Sequence, residues 1–291
     1  MPTTSTPPLI SVYIATHNRR TLLERAMRSV LSQTYPRVEL IVVDDASTDD
    51  TPALLQQWSA QDARVRYAAL PVASGAPVAR NKAIEMAQGE FVTGLDDDDA
   101  FLPDRLERFW AQWQTLGLTE GRAFLYAQAR AVGPSGAVVT SLPAEVSIEA
   151  MCRSNCVGNQ VFAPRATFLD AGGFTVGLPA WQDLDLWLSM LHLGCRGLLV
   201  DAVTMELDAT PRGDRISDQA RVRIESARDA VLHHHAWLGA AQKRDLYLQS
   251  LSRYYGFSIR SRDALALLKI DPSWTTVKRV RSLSWRRWRG R

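Results

Sequence analysis

Strand-like and helix-like segments alternate up to residue 116, and this alternation is the feature of the sequence that most constrains the fold. Apolar, strand-like runs stand at residues 9–15, 38–45, 64–70 and 90–95, and each is followed by apolar residues at helical spacing. The connecting segments are too long for hairpins and suit right-handed crossovers. The sequence therefore predicts an α/β protein with an open, mainly parallel, Rossmann-like sheet and helices on both faces.

Beyond residue 116 the pattern is more mixed. Residues 124–139 predict an antiparallel hairpin, residues 158–162 a further strand, and residues 181–193 a helix opened by acidic side chains. From about residue 216 the pattern is mostly helical. We therefore expect a sheet domain at residues 1–215, a helical C-terminal region at 216–271 and a basic amphipathic tail at 272–291.

Composition excludes several classes of protein. Hydrophobic residues make up 46% of the chain and charged residues 22%, which is typical of globular proteins and not of disordered or fibrous ones. No run approaches the roughly 18 apolar residues of a membrane span, and the first residues do not resemble a secretory signal. The three cysteines (Cys152, Cys156 and Cys195) cannot close a disulfide framework. We expect a protein of the reducing cytoplasm.

Polar residues gather where the predicted strands end, which is where open α/β sheets bind ligands. Asp44 and Asp45 end the second strand, and Asp96 begins a run of four aspartates after the fourth. A solvated strand end that caps the next helix would explain the first pair. Alternatively, a carboxylate there accepts hydrogen bonds from a nucleotide base or ribose.

The four consecutive aspartates, residues 96–99, would repel one another unless they are fully solvated or surround a cation. An exposed acidic turn is the simpler interpretation, but the run lies between the apolar segments GEFVTGL and AFLP. Asp96 and Asp98 form a D-x-D pair of hard oxygen ligands that suits Mg²⁺ or Mn²⁺ with phosphate oxygens. The spacing does not fit an EF-hand. We therefore expect a cation site here.

Four motifs in order, spread over residues 8–215, resemble the inverting glycosyltransferases of family 2. They are ISVYIATHNR, VELIVVDDASTDDT, the segment SGAPVARNKAIEMAQGEFVTGLDDDDAFLPDRLE, and AGGF followed by WQDLDLWL. The resemblance implies a GT-A fold, a nucleotide-sugar donor such as a UDP-hexose or UDP-N-acetylhexosamine, and a saccharide or lipid-linked saccharide acceptor in bacterial surface polysaccharide assembly.

The resemblance also assigns roles by position. Asp183 matches the general base, and Asp98 and Asp96 match the ligands of Mn²⁺ or Mg²⁺. Contacts to the nucleotide sugar are implied for Ala15, Thr16, His17, Asn18, Asp45, Arg80, Asp96, Asp97 and Arg215.

Two positions depart from the family pattern. Gln182 stands where the family usually has glutamate, and His17 stands where it usually has tyrosine or phenylalanine. For Asp183 the alternative is a first-turn acid favoured by the helix dipole, with Asp185 as a competing base. Because the Gln182 departure could mark a degenerate site, a protein that binds nucleotide without turnover is the alternative from another class. A nucleotidyltransferase on a related fold would carry a glycine-rich loop after the first strand, where this chain has ATHNRR.

Three tryptophans, Trp110, Trp181 and Trp187, could line a sugar site by ring stacking, although packing in the core is their more common role.

The tail carries seven cations and no acid from residue 278 onward; since the whole chain has a net charge of +3, residues 1–277 carry −4. Its tryptophans and aliphatic residues alternate with these cations, a composition typical of a helix in a lipid interface. We expect a peripheral protein on the cytoplasmic face of an anionic membrane. A solvated terminus is the alternative, and nucleic acid is not an expected partner.

Overall fold

The computed structural model describes residues 6–117, 122–210, 221–252 and 254–289. Its strands are β1 (Ile10–Thr16), β2 (Val38–Asp44), β3 (Val65–Ala69), β4 (Phe91–Gly94), β5 (Ala100–Phe101), β6 (Ala123–Gly133), β7 (Gly136–Val139), β8 (Glu145–Val146), β9 (Phe162–Pro164) and β10 (Arg196–Asp208). Its helices are α1 (Arg20–Leu31), α2 (Thr51–Gln61), α3 (Ala76–Met86), α4 (Arg105–Thr115), α5 (Ile148–Arg153), α6 (Arg165–Asp170), α7 (Gln182–His192), α8 (Arg221–His234), α9 (Ala240–Gln249), α10 (Ser261–Ile270) and α11 (Trp274–Arg289).

These strands form one sheet in the order β3-β2-β1-β4-β9-β6-β10-β5, with β7 beside β6 and β8 beside β10. The four predicted strands β1 to β4 pair in parallel. Strand β9 runs antiparallel to β4 and β6, and β6 pairs in parallel with β10. The predicted parallel half is confirmed, and the second half of the sheet is mixed.

Alternation along β1 explains why helices cover both faces of the sheet. Val12 and Ile14 point to one face and pack with the apolar side of α1, including Met27. Tyr13 points to the opposite face, where its ring contacts Phe168 and Phe174 edge-on. Because side chains in a strand alternate between faces, a strand that is apolar throughout is buried on both sides.

The hairpin predicted at residues 124–139 is confirmed as β6 and β7, and the helix predicted at 181–193 is confirmed as α7. The strand predicted at 158–162 is wrong in its bounds, because β9 spans Phe162–Pro164. Gly158 has a positive φ of 94°, and the side chains of Asn159 and Gln160 bond Asp96. These polar contacts hold the segment before β9 out of the ladder and beside the acidic turn.

Helices α8 and α9 pack against the sheet domain. Ile224, Val231 and Leu246 belong to the same buried cluster as Trp187 of α7. A smaller cluster of Tyr247, Leu251, Ile259 and Leu267 joins α9 to α10. The helical C-terminal region therefore borders the end of the sheet where the strand termini lie. The division at residues 215 and 271 stays a prediction.

Candidate active site

A cleft of about 810 Å³ opens beyond the carboxyl ends of β1, β2 and β4. Most of the residues singled out in the sequence line it: Ala15, Thr16, His17, Asp45, Arg80, Asp96, Asp97, Asp98 and Asp183. The remaining wall includes the loop before β9, the start of α7, the end of β10 and the C-terminal helical region. The topology therefore brings side chains from distant parts of the chain to one edge of the sheet, as open α/β sheets do.

Of the predicted residues that the structure describes, Asn18 does not line this cleft. The side chain of Asn18 accepts hydrogen bonds from the backbone N–H groups of Thr48 and Asp49, at 2.7 and 3.3 Å, and so holds the loop after β2. Its own backbone is left-handed, with φ at 52°, a conformation that asparagine tolerates better than most residues. Arg215 lies outside the described residues.

Asp45 fixes one end of the cleft. Its two carboxylate oxygens accept from the backbone N–H groups of Ser74 and Gly75, at 2.6 and 2.8 Å, and this ties the loop after β3 to the end of β2. Gly75 has φ at 91°, which favours glycine. Each carboxylate oxygen keeps a further lone pair, so Asp45 can still accept from a ligand N–H.

His17 stands beside Asp45 with both ring nitrogens in use. Its Nδ1 lies 2.7 Å from the backbone carbonyl of Asp45, and since a carbonyl only accepts, Nδ1 donates. Its Nε2 accepts from the side-chain amide of Asn18 at 3.0 Å. These two bonds fix the plane of an exposed ring at the cleft wall, an arrangement that suits stacking on a flat ligand.

Three side chains donate hydrogen bonds to the carboxylate of Asp96. Arg80 Nη2 and Gln160 Nε2 both donate to its Oδ1, each at 2.9 Å, and Asn159 Nδ2 donates to Oδ2 at 2.7 Å. A carboxylate offers about four acceptor positions, so these bonds leave one on Oδ2. Asn159 and Gln160 were missed in the sequence, where the only signal was a polar pair inside a predicted strand.

Asp97 and Asp99 point into the protein, and this relieves the repulsion within the four-aspartate turn. Asp97 accepts from Thr16 Oγ1 at 2.8 Å and from Arg19 Nη1 at 2.9 Å. Asp99 accepts from the backbone N–H of Asp208 at 3.0 Å. Burial raises the pKa of Asp97 to about 6, opposed by Arg19 and Thr16, and burial also raises the pKa of Asp99. Both aspartates line the cleft, and these bonds tie them to the protein and so shape the turn.

Asp98 lies at the cleft wall, where its Oδ2 is 3.5 Å from Arg19 Nη1. Within the described residues no group of three or more His, Cys, Asp or Glu side chains is arranged to hold a metal ion. A divalent cation here would take the Asp98 carboxylate, the free position on Asp96 and oxygens from a bound diphosphate. Hard oxygen donors with positions left for phosphate are what Mg²⁺ and Mn²⁺ accept, so the residues fit.

Asp183 is in the first turn of α7 and lines the cleft near Asp96 of the acidic turn. Its Oδ1 lies 3.4 Å from Arg80 Nη1, and the same guanidinium donates to Asp96 through Nη2. Burial raises the pKa of Asp183 to about 7, with Arg80 opposing the shift. A carboxylate with a pKa near the working pH can both take and release a proton, which suits a general base.

The contacts of Gln182 explain why glutamine suits this position, where the family usually has glutamate. Its Oε1 accepts from Arg80 Nη1 at 3.1 Å, and its Nε2 donates to the backbone carbonyl of Leu178 at 3.0 Å. Glutamate could make the first contact, but it has no N–H for the second. Gln182 therefore holds Arg80 in place between Asp96 and Asp183.

Asp185, the competing candidate, faces away from the cleft. It accepts from Thr175 Oγ1 at 2.6 Å, and its Oδ1 lies 3.0 Å from His235 Nε2 and 3.3 Å from His234 Nδ1. Positions two apart on a helix do not share a face, so a helix that presents Asp183 to the cleft turns Asp185 inward. The contact with His234 and His235 joins α7 to the end of α8, and no sequence signal pointed to it.

Comparison with known proteins identifies the family. The model of "Glycosyl transferase family 2" matches residues 11–119. The chain is 41% identical over 191 residues to the putative colanic acid biosynthesis glycosyl transferase WcaA of Escherichia coli K12, a match that covers 63% of this chain and 66% of WcaA, just under two thirds. It is 28% identical over 184 residues to the E. coli UDP-Glc:alpha-D-GlcNAc-diphosphoundecaprenol beta-1,3-glucosyltransferase WfgD, covering 63% and 70%.

Among solved structures, S. aureus TarS residues 1–349 in complex with UDP-GlcNAc matches with a TM-score of 0.68. The match covers 90% of this chain and 79% of the TarS 1–349 chain at 22% identity, which is evidence for the fold alone. The sheet order, the acidic turn after β4 and the aspartate that opens α7 agree with the motifs on which the resemblance rested. Residues 11–119 therefore belong to glycosyltransferase family 2, and the chain has the GT-A fold.

Proposed function

We propose that this chain is an inverting glycosyltransferase that moves a sugar from a UDP-sugar to a hydroxyl group of a saccharide or lipid-linked saccharide during assembly of a bacterial surface polysaccharide. One observation carries the proposal: Arg80 bonds both Asp183 and Asp96, so a base with a raised pKa stands next to the acidic turn in one cleft. The donor and acceptor named for WfgD, and the donor bound to TarS, support the same substrate classes here.

The donor would lie with its base at the Asp45 end and its diphosphate at the acidic turn. Asp45 can accept from the imide N–H of uracil, and His17 offers its ring to the base. A divalent Mn²⁺ or Mg²⁺ held by Asp98 and Asp96 would supply positive charge to the diphosphate, so that UDP leaves as a stabilised anion.

Because such a leaving group needs no protonation, one carboxylate suffices for the transfer. Asp183 accepts the proton of the acceptor hydroxyl as that oxygen attacks the anomeric carbon and the bond from that carbon to the diphosphate oxygen breaks. Attack comes from the face opposite the diphosphate, so the anomeric configuration inverts. Arg80 holds Asp183 in place and favours its charged form.

A screen of nucleotide sugars tests the proposal. With Mn²⁺ present, we expect UDP-sugars to raise the thermal unfolding temperature and to be turned over to UDP, whereas GDP-sugars and ADP-sugars do neither. Binding without release of UDP would support the degenerate binding protein instead. Formation of a nucleotide sugar from UTP and a sugar phosphate, with release of pyrophosphate, would support the nucleotidyltransferase.

The composition of the tail supports a location of the enzyme at the cytoplasmic face of an anionic membrane. No helix in the described residues combines the length and apolarity that a membrane crossing needs. In α11 the residue Trp274 is 62% exposed, and Lys278 and Arg281 lie over its ring. Val280, by contrast, packs against the small cluster between α9 and α10. An exposed tryptophan beside cations suits the boundary between lipid headgroups and acyl chains.

Removal of the tail is expected to abolish membrane binding. The full chain should cosediment with vesicles of phosphatidylcholine and phosphatidylserine at low salt and dissociate as salt rises, because charge contributes about 1 kcal/mol per cation near such a surface. A chain that ends at Asp271 should stay in the supernatant. If both chains pellet equally, the tail is not the anchor. If the full chain binds nucleic acid as well as it binds vesicles, nucleic acid becomes the favoured partner of the tail.

A further inference from the structure

The part of the cleft beyond Asp183 is walled by aromatic rings from two distant parts of the chain. Trp181 directly precedes α7, while Tyr254 and Tyr255 lie in the segment between α9 and α10. The indole N–H of Trp181 donates to the hydroxyl of Tyr255 at 2.7 Å. This bond ties the start of the helix that carries Asp183 to the C-terminal helical region.

Trp181 has a left-handed backbone, with φ at 62° and ψ at 23°. For a bulky residue this conformation is unfavourable, and such strain is concentrated at functional sites. Here it places the indole at the cleft wall, two residues before Asp183. Of the three tryptophans singled out in the sequence, Trp187 is fully buried and Trp110 packs against Phe91 in the core. Only Trp181 among them lines the cleft.

Tyr254 leaves 73% of its surface exposed although it lines a cleft. Its ring meets that of Tyr255 edge-on at 5.0 Å, and Tyr255 in turn stacks on Phe257 at 5.8 Å. The neighbouring rings thus hold Tyr254 at the rim without covering it. An exposed aromatic ring that is supported from behind offers apolar area to a ligand.

Polar side chains complete this end of the cleft. Ser154, Asn155, Gln249 and Ser252 line it beside the aromatic rings. Hydroxyl and amide groups both donate and accept hydrogen bonds, and so match the hydroxyl groups of a sugar. A pyranose ring has this dual character, with C–H groups on a face and hydroxyls at its edge.

We propose that Trp181, Tyr254 and Tyr255 form the acceptor subsite, in which a pyranose ring of a saccharide stacks by its C–H face and presents a hydroxyl to Asp183. The inference rests on the proposed function and adds to it which residues hold the acceptor. The base end of the donor lies elsewhere, at Asp45 and His17. Arg80 lies between the two ends, bonded to both Asp96 and Asp183.

Tyr254→Ala tests the subsite, with Tyr67→Ala as the matched control because Tyr67 is an exposed tyrosine on β3 outside the cleft. With the UDP-sugar identified in the screen, transfer is measured to p-nitrophenyl hexosides and N-acetylhexosaminides, and to the same sugars on a polyprenyl diphosphate. We expect Tyr254→Ala to raise the acceptor KM about tenfold or more and to change kcat less. Tyr67→Ala should match the wild type in both parameters.

Tyr254→Phe keeps the ring and should restore the acceptor KM to within about twofold of the wild type, because stacking needs the ring and not the hydroxyl. The rise in unfolding temperature on adding UDP should persist in all variants. An unchanged KM in Tyr254→Ala, an equal loss in Tyr254→Phe, or a loss confined to the polyprenyl acceptors would overturn the saccharide subsite. Turnover of donor by the wild type without transfer to any glycoside would also overturn it. Absence of both UDP binding and turnover would instead refute the proposed function.

Discussion

Asp183→Asn is expected to lower kcat by about 10²- to 10⁴-fold, the range typical of removing a general base. The amide keeps the shape of the side chain but cannot take the acceptor proton, so donor binding should persist while transfer stops. In the wild type, burial raises the pKa of Asp183 to about 7. Since the base must be deprotonated, kcat/KM should fall as pH drops below about 7, and the residual activity of the variant should lack this limb. Steady-state kinetics between pH 5.5 and 8.5, a window of about 3 units around that pKa, measure both effects.

Two matched variants control for a general effect of replacing an aspartate. Asp170→Asn changes an exposed residue of α6 outside the cleft and should behave as the wild type. Asp185→Asn removes a buried carboxylate that Thr175 and His235 contact, so it should lower stability by about 1–3 kcal/mol and leave turnover largely intact. If Asp185→Asn were inactive while folded and Asp183→Asn turned over normally, the base would be Asp185.

The site residues that could be predicted from the strand pattern of the sequence lie at or directly after the end of an apolar run. Ala15, Thr16 and Asp45 follow buried apolar runs, and Asp96 follows another. Because strands and helices alternate, these runs are predicted to be parallel strands, and the carboxyl ends of parallel strands lie at the same edge of a sheet. The periodicity of the sequence and the order of its strands are therefore enough to predict which edge of the sheet carries the cleft.

The remaining features depend on contacts between distant segments, which periodicity does not encode. Asn159 lies 63 positions from Asp96, and Arg80 lies 102 from Gln182, yet each pair is hydrogen-bonded. The bounds of β9 were wrong for the same reason, because the acidic turn draws the amides before it out of the ladder. By contrast, helix geometry alone predicts that Asp185 points away from the face of α7 that carries Asp183.

Asp98→Ala is expected to lower transfer by about 10²- to 10³-fold, because the proposed cation that neutralises the diphosphate would lose its main ligand. The variant should fold, since Arg19 keeps its 2.9 Å bond to Asp97 and Arg25 contacts the backbone carbonyl of Asp98 rather than its side chain. In the wild type, a chelator should stop transfer, and Mn²⁺ or Mg²⁺ should restore it. Transfer rates with each ion measure this dependence.

The control for Asp98→Ala is Asp104→Ala, six residues farther along the chain. Asp104 pairs with Arg108 on the surface of α4 and does not line the cleft. Exposed pairs contribute about 0–1 kcal/mol, so this variant should retain transfer and its response to the cation. Because both changes remove one aspartate from the same region, a general loss of negative charge would affect them alike. Loss in Asp98→Ala alone would place the cation at the D-x-D pair, whereas transfer by Asp98→Ala at the wild-type rate in Mn²⁺, or indifference of the wild type to chelator, would refute the metal site.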